Sequence, residues 1–176
     1  MTISNIIKMD TIWLTGLSGA GKSTLAQYLC KYYNAVLVDG DDLRGGISKD
    51  VKFDAEGRMK NVLLAAHVCK LVNASNKKCI AAMTSPLKEQ RSAAKEIIGN
   101  MFIVYVACDL ETLKKRDTKG LYKKYEDGQI KNMVGLDIPY EVPEDANLVV
   151  NTAVMSISEC KRLIIETYLK HTNKLK

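Results

Sequence analysis

The sequence has no CxxC pair, no low-complexity tract, no internal repeat, no linker and no apolar run of membrane-spanning length. Each absence removes a class of protein. The five cysteines, Cys30, Cys69, Cys79, Cys108 and Cys160, are odd in number and scattered, which argues against a zinc site and against a disulfide framework. Several fall inside apolar runs, where a thiol acts as a small hydrophobe. A reducing compartment, the cytoplasm, is therefore expected. The opening residues, MTISNIIKMD, lack the long apolar core of a secretory signal, and no membrane partner is expected. The guanine-reading Asn-Lys-x-Asp segment of GTP switches is missing too: NKKC (76–79) and NKLK (173–176) both lack its aspartate. Tyr122 and Tyr125 lie in a basic stretch, but no nucleic-acid module accompanies them, so nucleic acid is not expected as a partner.

What is present is an ordinary globular composition over 176 residues, enough for one domain with a core. The net charge of +6 suits an anionic partner such as a phosphorylated small molecule. Strand and helix patterns alternate along the chain. TIWLT (11–15), AVLVD (35–39), KCIAAM (78–83), MFIVYVAC (101–108) and NLVVNT (147–152) read as strands. Helices are expected from Lys22, over 60–72, 88–98 and 109–116, and from Ser156, where Ser156 and Glu159 fit a capping box. Continuous apolar strands between helices predict a parallel five-stranded sheet covered on both faces, a three-layer α/β fold. Residues 117–146 break the rhythm. They are polar and basic and contain Pro139 and Pro143, as a lid or binding loop would.

GLSGAGKS (16–23) matches G-x-x-x-x-G-K-[ST] between a strand and a helix, which makes the expected fold a P-loop one. Gly16, Ser18, Gly19, Ala20, Gly21 and Thr24 would turn backbone N–H groups onto phosphate oxygens, helped by the partial positive charge of the helix N-terminus. Lys22 would reach the β- and γ-phosphates of ATP, and Ser23 would offer its hydroxyl to Mg²⁺.

VDGDDLR (38–44) places Asp39, Asp41 and Asp42 beyond the end of the second strand. In an open parallel sheet, ligands gather beyond the carboxyl ends of the strands. One acid could serve the metal and another could accept the proton of an attacking hydroxyl. Arg44 would bind the phosphate of the acceptor. In FIVYVACD, Asp109 looks like an ATPase metal ligand, but capping the next helix is the simpler role.

IWLTGLSGAGKSTLA (12–26), VDGDDLR, FDAEGRMKN (53–61), TSP (84–86), the stretch 116–144 with KGLYKK and GLDIPYEVPE, and LVVNT (148–152) together resemble the adenylylsulfate kinase (APS kinase) family. That family phosphorylates the ribose 3′-hydroxyl of adenylyl sulfate with MgATP. The resemblance implies that Asp41 is the catalytic, metal-linked acid, with Asp39 nearby. It implies that Arg44, Arg58 and Asn61 hold the phosphate region of the acceptor and that Phe53 stacks on its base. Asp42, Thr84, Ser85, Lys119, Asn132 and Met133 would complete the acceptor site, and Arg116 would lie against the ATP base. Ser85 matches a serine phosphorylated in some members and joins Asp41, Asp39 and Lys22 in the expected catalytic set; as Ser85-Pro86 it also reads as a helix cap. Relatives are commonly dimers, which implies a homodimer.

Seven Lys or Arg lie between positions 114 and 131, so the lid would bring mobile cations over two phosphorylated substrates and exclude water. The departures from the family pattern cluster on the acceptor side. Leu63 and Leu64 replace two arginines or face the core. Met133 and Val134 replace a stacking phenylalanine and a threonine, Asp42 an asparagine, and Leu87 an aromatic or histidine. Fewer cations and one stacking face fewer favour a smaller base with an uncharged terminus. The chain thereby also resembles a relative of these kinases that acts on cytidine diphosphoramidate, used in capsule modification, and that resemblance tilts the expected acceptor to this compound. Adenylyl sulfate is the alternative acceptor, and a nucleotide-binding module without transfer chemistry is the alternative outside enzymes.

Overall fold

The computed structural model describes residues 10–173; the N-terminal segment read above as lacking a signal, and most of NKLK, lie outside them. Five strands form one parallel sheet: β1 (Thr11–Thr15), β2 (Val36–Asp39), β3 (Cys79–Ala82), β4 (Met101–Ala107) and β5 (Leu148–Asn151). All pairings are parallel, as the alternating pattern predicts, and the order across the sheet is β2-β3-β1-β4-β5.

Strand side chains alternate between the two faces, and the two halves of the core follow. Ile12, Leu14, Ile80, Phe102, Val104 and Val106 enter one cluster, roofed by α1 (Lys22–Tyr33) and α7 (Ile157–Asn173). Trp13, Cys79, Ala81, Met101 and Ile103 enter the other, beneath α3 (Ala55–Ala74) and α4 (Lys88–Ile98). All five cysteines are free thiols, and all but Cys30 are buried.

Helix boundaries follow local chemistry. Ser156 and Glu159 exchange the capping-box bonds expected of them. Asp109 accepts from the Thr112 amide at 2.8 Å and so caps α5 (Leu110–Arg116), the simpler of its two readings. Helix α3 starts at Ala55, five residues before the apolar stripe, because Asp54 caps it through the Gly57 amide at 2.8 Å.

Two short helices were not expected: α2 (Gly40–Gly45), capped by Asp39, and α6 (Leu121–Glu126), inside the 117–146 excursion. The excursion also corrects the picture of a loose lid. Tyr122, Met133 and Val134 are buried. At Gly135, in the left-handed region at φ +92°, an added Cβ would lie 2.9 Å from Leu17 of the phosphate loop. No helix among the described residues is long and apolar enough to cross a membrane.

Candidate active site

Sheet register brings the two motifs together. Ala82 of β3 pairs with Leu14 on one side and with Asp39 on the other. Asp39 is therefore level with the end of β1, and the loops after β1 and β2 open at the same edge of the sheet.

The loop after β1 needs its glycines. Gly16 sits at φ +152°, where an added Cβ would come within 2.3 Å of the Val106 carbonyl. At its far end Lys22 folds back, donating to the carbonyls of Gly16 at 2.9 Å and Leu17 at 2.8 Å. Burial pushes the Lys22 ammonium down to about 8, helped by the charge of Lys119 and opposed by Asp41 and Asp39. Ser18 and Ala20 offer their carbonyls to Tyr122 and Thr152, while Thr24 faces solvent on α1.

Ser23 donates its hydroxyl to Asp39 Oδ2 at 2.6 Å, and Asp39 Oδ1 accepts the Asp41 amide at 2.9 Å. The acid hydrogen-bonded to Ser23 is thus Asp39, whereas the resemblance gave the metal-linked role to Asp41. Both Asp39 oxygens are engaged. Asp41 instead reaches over the cleft and pairs with Lys119 from the lid. Asp42 is exposed and does not line the cleft.

The cleft beside Asp41 has a volume of about 80 Å³ and is lined by Arg44, Phe53, Arg58, Asn61, Thr84 and Ser85, among others. Phe53 is 57% exposed, with the Arg44 guanidinium 4.0 Å and that of Arg58 5.7 Å from its ring centre. Arg44 is held by the Val51 carbonyl at 2.7 Å. Arg58 bridges to the lid through the Asn132 carbonyl at 2.5 Å. Asn61 accepts from Ser48 at 2.6 Å and is buried at the cleft floor.

Two expected residues do other work. Met133 is 6% exposed and belongs to the core cluster that includes Leu113 and Tyr122, so it packs in the core instead of standing open like Phe53. Ser85 does not cap α4, which begins at Lys88. It adopts φ +33°, outside the extended conformation of a cap. Its hydroxyl accepts from Trp13 Nε1 at 3.1 Å and donates to Thr15 at 3.0 Å. A hydroxyl so occupied, in a residue 2% exposed, is not presented to solvent for phosphorylation. Leu63 and Leu64 are half-buried and belong to neither core cluster.

On the donor side, Arg116 donates to the Thr152 carbonyl at 2.6 Å, and Thr152 donates to the Ala20 carbonyl at 3.0 Å. Sequence reasoning passed over Thr15, Tyr140 and Thr152. The only signal available for them was a threonine closing a strand or a tyrosine in a polar stretch. A larger groove of about 760 Å³ lies behind the Ser85–Pro86 turn, along the start of α4, away from these groups.

A phosphate loop facing an acid pair occurs in many phosphotransferases, and the comparisons with known proteins decide among them. A family profile described as adenylylsulphate kinase matches residues 8–151. The chain belongs to the adenylylsulphate kinase family. It is 41% identical over 161 residues to an adenylyl-sulfate kinase of Clostridium kluyveri, covering 88% of this chain and 81% of that one. It is 40% identical to an adenylyl-sulfate kinase of Bacillus licheniformis, covering 95% and 88%. A solved structure of the Mycobacterium tuberculosis APS kinase in complex with AMPPNP and APS superposes with a TM-score of 0.88 at 31% identity, covering 92% of this chain and 98% of that one. Members of this adenylylsulphate kinase family are phosphotransferases with an alcohol acceptor, and so is this chain. The tilt to cytidine diphosphoramidate, and with it capsule modification, gains no support from these relatives.

Proposed function

We propose that the protein is an adenylyl-sulfate kinase, transferring the γ-phosphoryl group of ATP to the ribose 3′-hydroxyl of adenylyl sulfate. The observation that carries the chemistry is the bond from Ser23 to Asp39, which joins the phosphate-gripping loop to the acid turn in one crevice. The acceptor follows from the relatives, which are named for adenylyl sulfate at about two residues in five identical.

In this reading the N–H groups of Gly16–Ser23 and the Lys22 ammonium bind the donor phosphates. The hydroxyl of Ser23 beside the carboxylate of Asp39 is a hard oxygen pair suited to Mg²⁺, which takes few protein ligands when phosphates supply the rest. Bound there, Mg²⁺ would neutralise charge on the transferred group. Asp41 accepts the proton of the 3′-hydroxyl as that oxygen forms its bond to the γ-phosphorus. The bond from the γ-phosphorus to the bridging oxygen breaks, and ADP leaves. Lys119 exchanges Asp41 for phosphate oxygens when both substrates are present. Phe53 offers a stacking face to the acceptor base, and Arg44 and Arg58 grip its anionic groups. Arg116 stands against the donor base.

The deciding assay is ADP release with MgATP and either acceptor. Turnover with adenylyl sulfate supports the reading. Turnover with cytidine diphosphoramidate alone would restore the abandoned tilt, and ADP release with neither would favour a binding module. The free cysteines are in keeping with cytoplasmic placement. A homodimer is the expected assembly, checked by light scattering.

A further inference from the structure

Four hydroxyl or indole groups meet where the donor loop, the acceptor turn and the lid come together. Thr15, the last residue of β1, donates to the Thr84 carbonyl at 2.7 Å. A threonine hydroxyl has one proton. With that proton committed, Thr15 Oγ1 can only accept from its other two neighbours, Ser85 at 3.0 Å and Tyr140 at 2.9 Å. Tyr140 is therefore the donor, and each group in the chain Trp13, Ser85, Thr15, Tyr140 has one place for its proton. Burial raises the Tyr140 phenol well above its ordinary range, so it stays protonated. Its ring stacks on Tyr105 with centres 5.7 Å apart and planes 19° from parallel.

The residue after Tyr140 completes the junction. Glu141 donates its amide to the Pro86 carbonyl at 2.9 Å, and its carboxylate takes the Lys88 amide at the start of α4. Thr15 immediately precedes Gly16, and Thr84 and Ser85 line the acceptor cleft. One phenol hydroxyl thus connects the end of the lid to the roots of both substrate-binding loops.

We propose that Tyr140 is a positioning residue for phosphoryl transfer, whose hydroxyl bond to Thr15 fixes the lid against the donor and acceptor loops together. It touches no reacting atom. Its effect is on water: a lid released at this end admits water to the γ-phosphate, and hydrolysis competes with transfer. The kinetic side of this inference rests on the adenylyl-sulfate kinase reading; the mechanical side does not.

Tyr140→Phe removes the hydroxyl and keeps the ring stack, and Tyr105→Phe is the control, removing a hydroxyl from the other ring of the pair. Two quantities are measured: amide hydrogen exchange across residues 117–146, and acceptor-independent ATP hydrolysis as a fraction of total ADP release. In Tyr140→Phe, exchange in the lid should rise at least threefold with α4 unchanged, and the hydrolytic fraction should rise at least threefold. Tyr105→Phe should match the parent in both. Thr15→Val, which deletes the acceptor, should reproduce the exchange result if Tyr140→Phe folds poorly. Lid exchange in Tyr140→Phe equal to the parent overturns the proposal, whatever the kinetics. A parent enzyme that ignores adenylyl sulfate defeats the functional reading instead, and the exchange comparison still decides the role of Tyr140.

Discussion

Ser23 donates its hydroxyl to Asp39 across 2.6 Å, although Ser23 follows the loop after β1 and Asp39 ends β2, strands that are not neighbours in the sheet. In the proposed reading Asp39 is thereby the acid nearest the Mg²⁺ that Ser23 would hold. Asp39→Asn should keep the fold and raise the Mg²⁺ concentration needed for half-maximal activity by about tenfold or more, in line with the 10–100-fold cost of losing a metal's outer partner. Titration of Mg²⁺ at fixed ATP checks this. An unchanged Mg²⁺ requirement would take the metal role away from Asp39.

Asp41 has the complementary task. Its carboxylate lines the cleft and pairs with Lys119 from the lid. Removing a general base costs about 10²–10⁴-fold. Asp41→Asn should lower kcat by that amount while calorimetry finds binding of a non-hydrolysable ATP analogue unaltered. Retention of even a tenth of parental kcat would be incompatible with Asp41 as the base.

Lys22 predicts a pH profile. Burial and the nearby charge of Lys119 bring its ammonium from an ordinary 10.5 to about 8. Phosphates drawn against it favour the charged form. Thus kcat/KM for ATP should fall above pH about 8, approaching tenfold per pH unit, whereas kcat at saturation should hold to higher pH. The sign for folding is opposite. Between about 8 and 10.5 the unfolded chain holds the extra proton, so the contribution of this residue to stability rises with pH. A parallel fall of kcat and kcat/KM would speak against this account.

Phe53 and Met133 should separate cleanly. Phe53 is exposed at the cleft, and loss of one base-stacking face costs about 1–3 kcal/mol. Phe53→Ala should therefore raise the acceptor KM by roughly 5- to 150-fold with little change in melting temperature. Met133→Ala should do the reverse, costing about 2–5 kcal/mol of stability as a core truncation and leaving the preference among acceptor bases unchanged. Thermal melts and acceptor titrations on both variants distinguish the two roles.

The sequence by itself determined the sheet and the donor loop, because their signals are local. Apolar runs such as TIWLT and MFIVYVAC need only their own composition to declare buried strands, and the spacing within GLSGAGKS alone forces the backbone around phosphate. Asp109 and Ser156 announced their caps for the same reason, each bonding within three residues. Which acid meets Ser23 was not legible. It depends on β3 lying between β1 and β2 and setting Asp39 level with Leu14. Nothing local shows that Met133 is buried, because it joins a core cluster with residues distant in the chain, such as Leu113 and Ile164. Ser85 looked like a cap because nothing nearby in the chain reveals Trp13 and Thr15 waiting for its hydroxyl. Bonds between residues far apart in sequence exist only once the sheet has formed, so tertiary structure alone assigned those roles.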